Sequence, residues 1–134
     1  MGAWDYGPFG NDGAYDALGF LADGPAGELA ERLRAVLDRG RDEDYLENPE
    51  AQGAMAAAVV VAAKLGAAVD DANAVKFLAG NDVEVTAELR EHALRTYMRV
   101  TAPGDNEWHA LWEESGSLQR VLALHEPFRA VLAG

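Results

Sequence analysis

Residues 48–65 read NPEAQGAMAAAVVVAAKL, and the opening Asn48-Pro49-Glu50 is a strong signal for the start of a helix. The run that follows is apolar on nearly every side of a helix, which is typical of a helix covered by neighbours on all faces. Its many small side chains allow other helices to approach closely, and Gly66 ends it. The sequence therefore predicts a central helix around which the rest of the chain packs.

Apolar residues recur at about 3.6 positions on both sides of this run, and no segment alternates with a period of two. We therefore expect an all-α fold, a compact single domain of six or seven helices over residues 1–134. Glycine, proline and capping residues set the helix boundaries. The predicted helices run from Asn11 or Asp12 to Gly24, Pro25 to Arg39, Asn48 to Leu65, Asp71 to Ala79, Thr86 to Thr101, Asn106 to Ser115 and Ser117 to Leu132.

The periodicity also predicts which side chains face the core. The fourth helix is expected to present Val75, Phe77 and Leu78, and the fifth to bury Leu89, Ala93, Leu94, Tyr97 and Met98. Pro127 is expected to kink or split the last helix, because proline removes one backbone hydrogen bond and crowds the carbonyl four residues back.

The first ten residues, here called the arm, interleave Trp4, Tyr6 and Phe9 with glycine and proline. Large aromatic side chains near a chain terminus remain exposed to solvent unless they pack onto the domain. We therefore expect the arm to dock on the helices. The alternative is that Trp4 and Phe9 pack across a homodimer.

The composition argues against several classes of protein. The chain has 23 acidic and 11 basic residues, a formal net charge of −12, which disfavours nucleic acid as a partner. The absence of cysteine excludes disulfides and thiolate chemistry and fits a reducing cytoplasm. The longest uncharged run, residues 51–63, is shorter than the roughly 20 residues of a membrane helix. We expect a soluble cytoplasmic protein without a cofactor, since no cofactor motif is present.

Two pairs of residues are candidates for a metal or acid–base site. Asp12 and Asp16 share one face at the start of the first predicted helix, and carboxylates are ligands that Ca²⁺ or Mg²⁺ prefers. His109 and Glu113 have the same spacing and would suit a transition metal, or a base with its orienting acid. The competing interpretations are ordinary helix capping for the aspartates and a surface helix held by two neighbouring tryptophans for the second pair.

The other two histidines have no ligand-like spacing to these pairs. His92 lies among charged residues on the fifth predicted helix and is expected to face solvent. His125 lies on the apolar stripe of the last helix and is expected to be hydrogen-bonded and partly buried.

Residues 41–47 form an acidic connector between the second and third predicted helices. The candidate partner-binding residues in it are Asp42, Glu43, Asp44, Tyr45 and Glu47. An acidic loop is most simply a solvated surface. The sharper hypothesis is a docking patch for a basic protein surface, in which Tyr45 and Leu46 form an apolar anchor inside a charged rim.

Several motifs together carry a family resemblance. The opening follows the pattern Met-Gly-x-Trp-x-x-Gly-x-Phe-x-Asn-Asp, and its motif residues are Gly2, Trp4, Gly7, Phe9, Asn11 and Asp12. Further matching segments are Ala54–Ala63, Val85–Leu89, Asn106-Glu107 and Leu111–Gly116, the last containing Trp112.

Over essentially the whole chain the sequence resembles a bacterial family catalogued as domain of unknown function 4259. Gly10 departs from the polar or acidic residue expected before Asn11. The family has no established activity, so the resemblance implies a structural role for the motif residues and carries over no catalytic residue.

Two functional hypotheses follow. The first is a non-enzymatic module that binds another protein. The second is a metal-dependent hydrolase that uses Asp12, Asp16, His109, Glu113 or Glu114 in a cleft between helices. The two differ in one structural requirement, since an enzyme needs these side chains to converge on one pocket.

Overall fold

The computed structural model describes residues 6–41 and 44–134, and within them the chain forms seven α-helices and no strand. The helices are α1 (Asp12–Ala22), α2 (Leu29–Arg39), α3 (Asn48–Lys64), α4 (Ala72–Gly80), α5 (Ala87–Thr101), α6 (Glu107–Glu114) and α7 (Leu118–Ala133). The predicted all-α fold is confirmed. The second predicted helix differs at its start, because Ala26–Glu28 form a separate 3₁₀ turn before α2.

Helix α3 is the centre of the bundle, as its apolar composition predicts. Every residue from Ala51 to Ala62 is buried, and α3 contacts each of the six other helices. A helix with so little polar surface can only be stable in water when its neighbours cover it. The remaining helices therefore pack as one shell around α3.

The crossing of α1 over α3 is close because it is built on glycine. A Cβ atom added to Gly13 would come within 2.6 Å of the Gln52 Cβ atom and of the Pro49 carbonyl oxygen. The Gly13 N–H donates to the Gln52 Oε1 atom at 3.1 Å, so the same approach satisfies a buried polar side chain. Gly53 on α3 faces α1 less tightly, because a Cβ atom there would lie 3.4 Å from the Ala17 Cβ atom.

Side-chain caps start the helices where the sequence predicts them. Asn11, Thr86 and Asn106 accept hydrogen bonds from the N–H groups of Ala14, Leu89 and His109, and Asp71 caps α4 in the same manner. Each cap satisfies one of the N–H groups that the first helical turn leaves without a partner. Ser117 precedes α7, but its side chain makes no capping bond.

Some predictions about individual helices are wrong. Of the predicted kink or split at Pro127, the split is wrong, because α7 is continuous from Leu118 to Ala133. Because proline has no N–H group, the Ala123 carbonyl oxygen four residues back has no helical hydrogen bond. Ala123 is exposed, so water can hydrate this carbonyl. Met98 and Val75 are exposed at 53% and 46%, although their hydrophobicity predicts burial.

On α5 the buried face is rotated toward Thr96 and away from Met98. Thr96 is fully buried, and its hydroxyl donates to the Leu37 carbonyl oxygen on α2 at 3.1 Å. This hydrogen bond makes the burial of a polar side chain tolerable. Burying a polar group that has a hydrogen-bond partner reduces the stability of the fold only slightly. If the partner is lost, the full free energy of removing the group from water counts against folding. On α4 the small Ala74 takes the buried position next to Val75.

Candidate functional site

The arm docks on α6, as predicted, at the residues the structure describes. The ring centroid of Tyr6 lies 5.6 Å from that of Trp112, and the Arg120 guanidinium lies 4.6 Å from the Tyr6 centroid. Phe9 is buried in the core of its own chain, which leaves it unavailable for packing across a dimer. Gly2 and Trp4 lie outside the described residues, and a homodimer through Trp4 stays a prediction.

Beneath the arm lies a buried polar cluster formed by Asn11, Gln52 and His125. These three residues, together with Trp108 and Trp112, line a cavity of about 10 Å³, enough for one water molecule at most. The cluster joins the arm to α3 and α7. The cavity is too small for a substrate.

The chemistry of His125 is fixed by its surroundings. Its Nδ1 atom lies 2.7 Å from the Val121 carbonyl oxygen and therefore carries the hydrogen of this bond. Burial lowers the pKa of His125, an effect that the bond to Val121 partly opposes. The ring also packs edge-on against Trp108 and Phe128. The predicted hydrogen bond is present, and the burial is more complete than predicted.

The acidic connector is held at its far end by α6. Leu46 and Asn106 form a parallel bridge, in which the Leu46 N–H donates to Asp105 and the Glu107 N–H donates to Leu46, both at 2.8 Å. Leu46 is completely buried, so the prediction that it forms part of an exposed anchor is wrong. Of the two predicted anchor residues, only Tyr45 is exposed, at 51%.

Three of the predicted partner-binding residues can be placed. Asp44, Tyr45 and Glu47 are exposed, whereas Asp42 and Glu43 lie outside the described residues. Arg39 at the end of α2 and Pro49 near the start of α3 flank the connector in the chain, and both of these residues line one cleft of about 190 Å³ against α1.

This cleft, here called the α1 cleft, is walled by acidic and aromatic side chains. Asp16 and Phe20 come from α1 and Glu50 from α3. The Oε2 atom of Glu50 is shut off from solvent and meets no hydrogen-bond donor within the described part of the chain. The Arg39 guanidinium lies 5.2 Å from the Phe20 centroid, a cation–π distance. The cleft therefore combines two carboxylates with one guanidinium group that lies over an aromatic ring.

The metal and acid–base candidates are not brought together. Asp12 and Asp16 are exposed on α1, His109 is buried on α6, and Glu113 is exposed. Across residues 6–41 and 44–134 no group of three or more histidine, aspartate or glutamate side chains has the spacing to hold a metal ion. The α1 cleft, which Asp16 lines, contains none of the other candidates for the hydrolase hypothesis.

His92 does not face solvent, and this prediction is wrong. Its side chain is only 14% exposed, and its Nε2 atom lies 2.7 Å from the Asp38 Oδ1 atom. The pair joins α5 to the end of α2, close to where the acidic connector begins. Asp38 is the partner that sequence spacing along α5 cannot reveal, because it lies on another helix.

Sequence reasoning missed Phe20, and it places Glu50 only alongside the acidic connector. One signal was available, because four exposed positions of α1 follow helical spacing and are acidic or aromatic, namely Asp12, Tyr15, Asp16 and Phe20. The contribution of Glu50 depends on the close α1–α3 crossing, which the sequence does not show.

Within the described residues, no helix is long and apolar enough to cross a membrane. The fold and these surfaces define a small all-α protein with a buried polar cluster under its arm and an acidic exterior. The chain belongs to the family described as domain of unknown function (DUF4259), whose model matches residues 2–123. No curated protein and no solved structure matches it.

Proposed function

We propose that this protein is a non-enzymatic interaction module that binds a basic protein surface through the acidic connector and the adjoining α1 cleft. The observation that carries the proposal is the meeting of acidic residues from separate segments at one place. Asp16 from α1 and Glu50 from α3 line a cleft that is also lined by Arg39 and Pro49, which stand two residues before and two residues after the connector in the chain.

Charge complementarity supports a basic partner. The chain carries a formal net charge of −12, and such a surface attracts a basic partner and accelerates the encounter with it. Tyr45 supplies an exposed aromatic ring between Asp44 and Glu47, which are themselves exposed. Aromatic residues inside a charged rim are typical of the sites that contribute most to protein–protein affinity. The absence of cysteine suits the reducing cytoplasm in which we place this activity.

A photo-crosslinking amino acid at position 45, introduced in the cell of origin, tests the proposal. A matched control places the same group at Val75, which is also a large exposed hydrophobic residue but lies on α4. The expected result is a crosslink at position 45 to one identified basic protein and none from position 75. Crosslinks of equal yield from both positions, or a partner of acidic charge, would overturn the proposal.

The purified partner then permits a quantitative comparison. The double variant Asp44→Asn with Glu47→Gln should weaken binding about 3- to 30-fold, since each surface ion pair contributes roughly 0.3–1 kcal/mol. Removing two exposed charges on α6 with Glu113→Gln and Glu114→Gln should leave affinity nearly unchanged. Equal losses in both double variants would show a general effect of net charge and contradict a specific site.

A further inference from the structure

Motif residues from two distant parts of the chain line the small cavity beneath the arm. Gly7 and Asn11 come from the opening motif and Trp112 from the later one, and Gln52 and His125 complete the polar part of the lining. The volume of about 10 Å³ is close to the least space that a buried water molecule needs. The size of the cavity therefore restricts any occupant to one water molecule.

Gln52 brings a hydrogen-bond donor to this cavity. Its side chain is buried at 4% exposure, and its Oε1 atom accepts from the Gly13 N–H at 3.1 Å. The other end of the amide, the Nε2 atom, carries two hydrogens and bonds to no described residue. Among the described residues, the Glu50 Oε2 atom is the one side-chain polar atom that is both shut off from solvent and unpartnered. The Gln52 Nε2 atom therefore keeps some open surface, and the cavity that Gln52 lines accounts for it.

His125 brings an acceptor to the same cavity. Its ring is 2% exposed, and its Nδ1–H group donates to the Val121 carbonyl oxygen at 2.7 Å. Burial lowers the pKa of His125, so the ring is neutral at pH 7 and its Nε2 atom offers a lone pair. This atom bonds to no described residue and, like the Gln52 amide nitrogen, keeps some open surface. A buried donor and a buried acceptor thus face one cavity of the size of a water molecule.

We infer that this cavity is a binding site for one water molecule, which donates a hydrogen bond to the His125 Nε2 atom and accepts one from the Gln52 Nε2 atom. Asn11 offers a third partner, since its Oδ1 atom keeps a second lone pair beside its bond to the Ala14 N–H. About two to four such partners are usual for a buried water molecule. The water molecule joins α3 to α7 beneath the arm and gives the motif residue Asn11 a role beyond capping.

This inference is independent of the proposed function. None of the three polar side chains belongs to the acidic connector or lines the α1 cleft. A failure of the partner test at position 45 therefore leaves the water site standing, and the reverse holds as well.

Nuclear magnetic resonance on the full chain, labelled with ¹³C and ¹⁵N, tests for the water molecule directly. The Met55 methyl group lines the cavity and has no exchangeable hydrogen, so a cross-peak with water there does not arise from exchange at the methyl group itself. A water molecule that turns with the protein gives nuclear Overhauser cross-peaks of opposite sign in the laboratory and rotating frames. Passing hydration water gives the same sign in both. We expect opposite signs at Met55, and equal signs or no cross-peak would overturn the inference.

Tyr6→Phe is the control for a relayed signal. Tyr6 also lines the cavity, and its hydroxyl hydrogen exchanges with solvent, so it can pass magnetisation from bulk water to Met55. The variant removes the hydroxyl and keeps the ring that packs on Trp112. A bound water molecule predicts an unchanged cross-peak at Met55. Loss of the cross-peak in Tyr6→Phe would trace it to the hydroxyl and overturn the inference.

His125→Phe tests the acceptor, because phenylalanine keeps a ring and has no nitrogen. The expected result is loss of the opposite-sign pattern at Met55. His92→Phe is the matched variant, since His92 lies outside the cavity, and it should preserve the pattern. An unchanged pattern in His125→Phe would overturn the inference.

A second measurement on the native chain does not depend on the folding of any variant. The ¹⁵N shifts of the His125 ring at pH 7 should show a hydrogen on Nδ1 and none on Nε2. A hydrogen on Nε2 would make this atom a donor and would overturn the inference.

Discussion

The ring of Tyr6 lies 5.6 Å from the ring of Trp112 at an interplanar angle of 54°. This contact joins two segments that are far apart in the chain, the arm and the end of α6. The Arg120 guanidinium lies over the Tyr6 ring as well, so α7 takes part in the same contact. The two most specific family motifs therefore meet in space, and residues 6–8 lie over the buried polar cluster.

Replacing Tyr6 by alanine should destabilise the protein by about 1–3 kcal/mol, because the substitution removes an aromatic pair, a cation–π contact and buried area. Tyr15→Ala is the matched control, since Tyr15 is 61% exposed on α1. Urea denaturation should show a change within about 0.5 kcal/mol for the control. Equal losses for the two variants would mean that the arm contributes nothing to stability.

The α1–α3 crossing predicts opposite effects for two glycines in the same helix. Gly13→Ala should destabilise by about 1–2 kcal/mol despite the better helix propensity of alanine, because its Cβ would come within 2.6 Å of the Pro49 carbonyl oxygen. At Gly19 a Cβ meets nothing within 4 Å, so Gly19→Ala should stabilise by up to about 1 kcal/mol. Thermal denaturation of both variants measures the difference. A stabilising Gly13→Ala would contradict the close crossing.

These two glycines show how far the sequence can predict the fold. Capping residues such as Asn11 and Thr86 act within a few positions, so helix starts can be recognised locally. Gly13 and Gly19 are indistinguishable in the sequence, because what separates them is the distance to α3. For the same reason the periodicity predicts burial of Met98 and does not indicate burial of Thr96, since the Leu37 carbonyl that accepts from Thr96 lies on another helix.

The candidate site was less predictable than the fold. The exposure of Asp44, Tyr45 and Glu47 follows from local polarity, whereas the burial of Leu46 depends on a bridge to Asn106. Phe9 and Asp70 line one groove, and no spacing in the sequence indicates that they lie close together.

His125 predicts a specific dependence of stability on pH. In the unfolded chain a histidine has a pKa near 6.5, and burial lowers the pKa of His125 in the folded protein. At a pH between the two pKa values, the unfolded chain binds more protons than the folded protein does. The free energy of unfolding therefore falls as the pH drops below about 6.5. Urea midpoints at pH 7.5 and 5.5 should therefore fall more in the native protein than in His125→Gln, which keeps an amide donor for Val121. An identical pH response in the two proteins would contradict this assignment.

Tyr97 predicts a second effect at the alkaline end. Burial, assisted by the charge of Glu126 and opposed by that of Arg129, raises the pKa of Tyr97 to about 12. Because an unfolded tyrosine ionises near pH 10, the unfolded chain loses protons first, and stability falls as the pH rises above about 10. Ultraviolet titration of the phenolates should show a late component that Tyr97→Phe removes. The same late component in Tyr97→Phe would assign it to another tyrosine.

Asn106 should couple the acidic connector to the helical core. Its Nδ2 group donates to the Val100 and Ala102 carbonyl oxygens at 2.7 and 2.9 Å, and its Oδ1 atom caps α6 at the His109 N–H. Asn106→Ala leaves these groups without partners and should cost about 2–4 kcal/mol. Asn106→Asp keeps the capping oxygen but sets a buried carboxylate against these carbonyl oxygens, so we expect a loss at least as large.

Hydrogen exchange distinguishes this coupling from a general loss of stability. In Asn106→Asp the amides of Leu46 and Glu107, which form the bridge between the connector and α6, should exchange faster than in the native protein. The Val60 amide in α3 should change only by the loss in global stability, because opening of the bridge does not require α3 to unfold. Acceleration by the same factor at all three amides would show that Asn106 supports the fold as a whole. A selective effect at the bridge would show that this one side chain holds the connector in place.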